Sequence, residues 1–427
     1  MIKEFLSCYI RATPKSVEKR VLWLVRHAWE HVPFYRQKMQ AAGLSASDFN
    51  SLDDYINNFP ETTSAEYRAY QQTGKSQGLV DERRPLSGLI EDRSSGSSGI
   101  TISVFRSPAE YEMNRARALW HLLQAGLKPW HRILAVLPPL QMRKNVSMSI
   151  LQSLGIFRRT AVDYTMPIET IVEVIRRQRI NVIYGQKSFI RLIADHYMQH
   201  GIQPPKLELL IPGAERVDQY DREYLSQVFR PRLFGEFYGA TEPYLIATRK
   251  WDNDYQVDYK AVFLSLAAPD YEARLTKGNI LVTSLINEAQ PILKLELGDR
   301  VAVRSYGQLT KLGATIAKVE GRSNDYLHLP DGKKISGATF YASLEYFPFM
   351  RQFKIVQNDV NDCTVILRIS EKTDEKKAQV EAVLKQLLGG RIAYEIEYVD
   401  AIPVDPNGKT KILVSKVRDV KSASLYR

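Results

Sequence analysis

Between residues 132 and 239 the chain alternates short apolar runs with segments of helical period: "RILAVLPP", a helical stretch near 145–153, "RTAVDY", "PIETIVEVIRRQR", "NVIYG", "KSFIRLIADHYMQHG", "KLELLIPG", "QYDREYLSQVF" and "RLFGEFYG". Strand, helix, strand, helix over about a hundred residues argues for a mostly parallel sheet covered by helices on both faces. Ligands of such sheets sit beyond the carboxyl ends of the strands, where "YGQKS", "PGAE" and "YGATE" fall.

The flanking text places this block in a larger plan. Residues 14–43 read as an amphipathic helix with Pro14 in its first turn, interrupted at "HVPFYR" near Pro33 and stopped at Gly43. Ser107-Pro108-Ala109-Glu110 is a capping box with proline at the first helical position, opening a helix that runs to Gly126. After about residue 255 the text becomes strand-rich, and near 326 a third regime begins. There "RQFKIVQND" and "DCTVILRIS" read as paired strands, "EKKAQVEAVLKQLL" as a helix and "AYEIEYVD" as a strand. At 427 residues the chain is too long for one compact core. The division expected is a large α/β domain over 1–320, a hinge at 321–326 and a small α+β domain over 327–427.

Composition excludes more than it selects. Hydrophobic residues at 44% and charged residues at 25% are globular values, and no apolar run approaches the length of about 20 that a membrane span needs. The charged start, "MIKEFLSCYIRATPKS", is not a signal peptide, so a cytoplasmic location is expected, with no membrane partner. Two cysteines, Cys8 and Cys363, make neither a disulfide framework nor a four-cysteine zinc site. The net charge of +11 is scattered, without a basic tract interleaved with aromatics, so no nucleic-acid partner is expected.

Five polar segments could carry chemistry. "RSSGSSGIT" has the composition of a phosphate cradle and equally that of a flexible linker, and it lacks the spacing of a P-loop. "FYGATE", residues 237–242, ends a strand with a ring that can stack, a glycine that can turn, and a threonine and glutamate that suit a phosphate and its metal, or simply turns. Leu297-Gly298-Asp299-Arg300 could hold a ribose or be a plain turn, and Gly321-Arg322-Ser323-Asn324-Asp325 reads as loop or hinge. In "PVDPNGKTK" a tight turn precedes Lys409, which points to solvent or into a neighbouring site.

Taken in order with "HVPFYR", "YGQKS", "GAE", "PILKLELGD" and "EGRSNDYLHLPDG", these segments resemble the adenylate-forming ligase superfamily, in its phenylacetate:CoA ligase branch, over residues 31–411. Three departures stand out. The family's loop continues Gly-Lys-Pro, and here it reads Gly99-Ile100-Thr101; the family's Arg-Tyr-Arg-Thr-Gly-Asp is Lys294-Leu295-Glu296-Leu297-Gly298-Asp299; and the hinge position is Asn324.

The resemblance implies activation of a carboxylic acid by ATP and Mg2+ to an acyl-adenylate, then transfer to coenzyme A or to the phosphopantetheine of an acyl carrier protein. In it the loop Ser94, Ser95, Gly96, Ser97, Ser98 and Gly99 cradles the β- and γ-phosphates, Thr241 binds a phosphate oxygen and Glu242 holds magnesium. Tyr238 and Gly239, with Gly213, Ala214 and Glu215, frame adenine; Asp299 and Arg322 take the ribose; Lys409, on a mobile C-terminal domain, bridges the carboxylate and the α-phosphate. Tyr184, Gly185, Phe237 and Ala240 border the acid, expected to be aromatic or arylalkyl, with Tyr164 nearby. A homodimer is one assembly the resemblance allows. AMP transfer to a deazaflavin coenzyme and a non-catalytic nucleotide-binding relative are the alternatives it leaves open.

Overall fold

A computed structural model describes residues 2–8, 10–93, 102–137, 152, 154–163, 166–213, 215–217, 219–251, 253–322, 326–331, 334–344, 347, 349–400, 402 and 412–417. The chain divides into two compact units, 1–319 and 320–427.

In the larger unit the alternating block forms five parallel strands in the spatial order Arg158–Asp163, Arg132–Leu137, Val182–Gln186, Leu209–Gly213, Leu233–Ala240. The strands that follow Arg132–Leu137 in sequence lie on its two opposite sides, so the winding reverses there, where α/β sheets leave a crevice for ligands. Alternate side chains go to opposite faces. Leu134, Val136, Ile183, Leu210 and Phe234 pack under the helices Ile168–Arg177, Lys187–Gln199 and Gln219–Phe229. Ile133, Val182, Leu209 and Ile211 pack under the helix Pro108–Ala125. With both faces covered, nearly every strand position is apolar, which is why these strands read as continuous apolar runs.

Beyond Leu233–Ala240 the same sheet turns antiparallel, through Tyr244–Lys250, Tyr255–Val257, Thr315–Arg322, Leu295–Arg304, Thr276–Ser284 and Val262–Tyr271. Thr62–Thr63 pairs with Leu295–Arg304, making twelve strands among the described residues. Parallel pairing thus holds for the alternating block, while the strand-rich text after it makes the antiparallel half. That half is covered by the N-terminal helices, which begin as the sequence predicts: Pro14–His31, then a break at Val32, then Pro33–Ala41. The break places Phe34 and Tyr35 in the core, where the Tyr35 hydroxyl accepts from the Leu293 amide at 2.9 Å and meets the Tyr67 hydroxyl at 2.6 Å. "HVPFYR" is therefore a structural tie to "PILKLELGD". Burial pushes the Tyr35 phenol up to about 12.

The helix Pro108–Ala125 starts at its capping box: the Ser107 amide donates to Glu110 at 2.6 Å and the Glu110 amide to Ser107 at 3.3 Å. It ends at Gly126, whose φ of 112° is left-handed.

The smaller unit holds a four-stranded sheet in the order Ala393–Tyr398, Asp362–Ile369, Met350–Gln357, Leu413–Ser415, with the helices Gly337–Leu344 and Asp374–Leu388. The two central strands are antiparallel, and Asp362–Ile369 alternates half-buried and buried residues with period two. No described helix is long and apolar enough to cross a membrane.

Candidate active site

At the carboxyl end of Leu233–Ala240 the predicted residues from Phe237 to Glu242 follow one another, and Asp299 joins them. The strand closes through a three-residue turn, Thr241–Glu242–Pro243, into Tyr244–Lys250. A bulge between Tyr238 and Gly239 starts the turn, and Tyr244, at φ 69°, finishes it. Glycine is required at 239, because a Cβ there would lie 2.1 Å from the Tyr244 carbonyl oxygen.

A second irregularity faces it. In Leu295–Arg304 the residues Leu297, Gly298 and Asp299 stand opposite the single residue Ile280, and Gly298, at φ 77°, permits the excursion. Asp299 is thereby turned to Tyr238, whose hydroxyl donates to Asp299 Oδ2 at 2.9 Å. Two residues 61 apart in sequence, both expected at the nucleotide, are in contact.

Glu242 is buried, with its charge close enough to help push the Tyr67 phenol well above its ordinary value, after burial itself. The Thr241–Glu242 turn is held by Arg106, which the sequence reading did not single out. Its guanidinium is fully buried, donates to the Glu242 carbonyl at 2.7 Å and to the Thr241 carbonyl, and pairs with Asp92 Oδ2 at 2.7 Å. Asp92 and Arg106 belong to the antiparallel hairpin Ile90–Arg93/Ser103–Arg106, the stem of the Ser/Gly loop. The stem matches the two strands read from the sequence. The loop itself, Ser94 to Gly99, lies outside the described residues, as do Ala214, Tyr164, Asn324, Asp325 and Lys409. Arg322 ends the strand Thr315–Arg322.

Among the residues expected at adenine, Gly213 pairs with Gln186 in the ladder, and the Gln186 amide donates to Glu215 at 2.9 Å. Gln186, adjoining the predicted Tyr184 and Gly185, was not singled out in the sequence. Gly185 is sterically required, since a Cβ would lie 2.6 Å from the Val136 carbonyl oxygen at the winding reversal.

Of the residues expected at the acid, Tyr184 and Phe237 pack on the face under Pro108–Ala125. The Tyr184 and Phe237 rings are 6.3 Å apart and tilted, and His121 from the helix meets Phe237 edge-on at 6.5 Å. Ala240 lies at the end of the same strand as Phe237. Behind them Asp258 is buried against Arg117 and lies 2.7 Å from His121 Nε2. Burial works against the Asp258 charge, but these two partners outweigh it and hold the carboxyl at about 2. Burial also pushes the Tyr184 phenol up and lowers Arg159, whose charge lies near Tyr184 and Tyr244.

Lys294, where the resemblance leads one to expect arginine, is buried and donates to the carbonyls of Ile56 at 2.9 Å and Phe59 at 2.8 Å. That departure serves packing of the helix Leu52–Asn58. Elsewhere a cavity of about 570 Å3 opens between Ile10, Val17, Met113, Lys260 and Ile286, and contains none of the predicted residues.

No group of three His, Cys, Asp or Glu side chains among the described residues could hold a metal alone. A single carboxylate at Glu242 does fit Mg2+, which takes one or two carboxylates and completes its shell with phosphate oxygens and water.

Known proteins resemble the chain in the same way. Residues 327–416 match the family of the CapK C-terminal domain. Protein CapK of Staphylococcus aureus is 22% identical over 55% of this chain and 52% of its own length. The chain thus spans about half of that relative. A phenylacetate-coenzyme A ligase of Aromatoleum evansii is 21% identical over 72% of this chain and 70% of its own. Among solved structures, 2-hydroxyisobutyryl-CoA ligase in its postadenylation state superposes with a TM-score of 0.75 at 17% identity, covering 96% of this chain and 90% of that one. The chain has the fold of the adenylate-forming acyl-CoA ligases, and its sequence relatives are the phenylacetate-coenzyme A ligases and CapK.

Proposed function

We propose that the chain is an AMP-forming acid-thiol ligase that activates a small carboxylic acid with ATP. The observation that carries this reading is the contact between Tyr238 and Asp299 beside the Thr241–Glu242 turn, which joins two separate motifs at one end of the sheet. In the first step an acid oxygen attacks the α-phosphorus of ATP and the bond to pyrophosphate breaks. Two anions must meet and charge grows on the phosphoryl oxygens, so the barrier falls mainly through positioned donors and cations.

Tyr238, Gly213 and Glu215 border the adenine in this reading, and Asp299 accepts from the ribose. The Tyr238 hydroxyl orients Asp299, whose carboxylate offers about four acceptor sites. Thr241 donates to a phosphate oxygen. Glu242 would hold Mg2+, which neutralises phosphate charge when bound. The resemblance assigns the phosphates to the loop from Ser94 to Gly99, and the carboxylate and α-phosphate to Lys409. The rings of Tyr184, Phe237 and His121 favour a flat, arylalkyl or aromatic acid. A thiol then displaces AMP from the adenylate. Coenzyme A is the acceptor we assign, with carrier-protein phosphopantetheine presenting the same arm.

The test is ATP-pyrophosphate exchange without thiol, across aryl, arylalkyl and short aliphatic acids. Exchange with an acid class supports the reading and names the substrate group; ATP binding without exchange for any acid would sink it, in favour of another AMP acceptor or a silent relative. Lys409→Ala should lower the exchange rate by about a hundred- to a thousand-fold with ATP affinity little changed, as for loss of one charge-stabilising donor.

A further inference from the structure

Resting on that reading, we propose that Arg106 is a positioning residue that ties the paired strands Ile90–Arg93 and Ser103–Arg106 to the Thr241–Glu242 turn, and so sets the direction of the carboxylate that would hold magnesium. A guanidinium presents five N–H donors in a rigid fork. Here one arm takes Asp92, at 2.7 Å on the hairpin stem, and the other takes two successive carbonyls, Glu242 at 2.7 Å and Thr241. The two sides it joins are 135 and 136 residues apart from Arg106 on one side and 14 on the other.

The hairpin needs such an anchor. A two-stranded ribbon is marginal alone, and this one pairs only four residues on each strand. Two further ties run elsewhere: Gln71 donates to the Ser103 carbonyl at 2.6 Å, and Gln290 accepts from the Phe105 amide at 2.8 Å. The Arg106 guanidinium reaches from this hairpin to the turn that carries Glu242.

Stability by itself does not account for the arrangement. Burial works against the Arg106 charge, and its Nε is buried with no partner among the described residues. A buried donor left unmade is a cost that an apolar side chain would avoid. The gain is geometric: carbonyls pinned on both residues fix the direction in which the Thr241 and Glu242 side chains leave the turn.

The test uses the full chain, with Asp92→Asn, Arg106→Lys and the double variant. Asp92 is about a quarter exposed (23%), so its substitution is the milder one for folding. Lysine keeps the charge of Arg106 and loses the fork. Pyrophosphate exchange is measured against Mg2+ and ATP concentration, and Mg·ATP binding by calorimetry without acid. Arg106→Lys should raise the half-saturating Mg2+ and the ATP KM by about tenfold, and Asp92→Asn by about threefold, values ordinary for loss of charge-assisted contacts. The KM of the acid should stay put, and the double variant should be no worse than Arg106→Lys, since both act through one contact.

A structural role alone would lower thermal stability and the active fraction while leaving half-saturating Mg2+ and ATP unchanged, and that result overturns the proposal. If Arg106→Lys does not fold, Asp92→Asn decides by the same readout. Should the wild type bind Mg·ATP yet exchange with no acid, the functional reading fails, and the binding constants still decide the role of Arg106. A wild type that binds no Mg·ATP overturns both.

Discussion

The two ends of the candidate site are built on different principles. At the proposed nucleotide end Gly239, Asp299 and the Thr241–Glu242 turn ride on breaks in the sheet: a bulge before Gly239, a three-against-one bulge through Asp299, a left-handed Tyr244. At the acid end Tyr184 and Phe237 occupy regular ladder positions, opposite Ala135 and Thr248, and are backed by the helix that carries His121. A break in the backbone admits few residue types, whereas a regular ladder position admits many. The first end is therefore fixed by backbone geometry and the second by side chains that can be exchanged. Gly185 is the exception on the acid side, held by the approach of Val136.

The largest effect should come from the ion cluster behind the acid end. Asp258→Asn leaves Arg117 buried opposite a neutral amide and should cost about 3–5 kcal/mol in denaturant unfolding at pH 7. The sign of its pH dependence follows from the depressed carboxyl. Held at about 2 in the fold, against about 3.9 in the unfolded chain, Asp258 adds stability above pH 4 that fades as pH falls toward 2. The gap between wild type and variant should narrow over that window. A gap that is constant from pH 7 to pH 3 would mean the cost is steric, and would remove the electrostatic prop from the acid end.

Next in size is a paired test of the nucleotide end. Gly239→Ala must displace the turn and should cost about 1–3 kcal/mol, as overpacking does, with ATP binding weakened whichever acid is present. Gly213→Ala meets nothing nearer than the Phe237 carbonyl oxygen at 3.9 Å and should stay within about 0.5 kcal/mol of wild type. Equal tolerance of both, by thermal unfolding and ATP titration, would break the claim that this end depends on backbone geometry.

The same contrast explains what could be read in the text of the chain. The five parallel strands were legible because burial on both faces leaves uninterrupted apolar runs, whereas Tyr238, Gly239 and Asp299 were picked out by the resemblance, the residues alone reading equally as turns; the contact of Tyr238 with Asp299 came only with the structure. Arg106 was not legible: it ends the strand Ser103–Arg106 like any edge arginine, and its meaning lies in carbonyls 135 and 136 residues away. An arginine after an apolar Val104-Phe105 pair, diagonal to Asp92 across a hairpin, was the available signal. Asp258, Arg117 and His121 left none, because the carboxylate is 137 residues from His121 and ion pairs carry no local period. The antiparallel half was legible as strands but not in its pairing, which loops without a fixed period decide.

The smallest effects separate the two ends most cleanly, because they fall on neighbouring residues. Phe237 and Tyr238 are consecutive on one strand, so their side chains leave on opposite faces; one packs with Tyr184, the other bonds Asp299. Tyr238→Phe removes one hydrogen bond to a carboxylate, about 1.5 kcal/mol, and should raise the ATP KM by roughly tenfold without reordering the acids. Phe237→Leu gives up an aromatic contact worth about 0.5–1 kcal/mol, so kcat/KM for aryl relative to short aliphatic acids should fall by under about fivefold, with the ATP KM unmoved. Crossed results, acid selectivity following residue 238 and ATP following residue 237, would show that the strand serves its two ends in the opposite sense. Selectivity and ATP moving together in both variants would mean that the ends are one continuous site, and that the irregular backbone shapes the acid pocket as much as the nucleotide's.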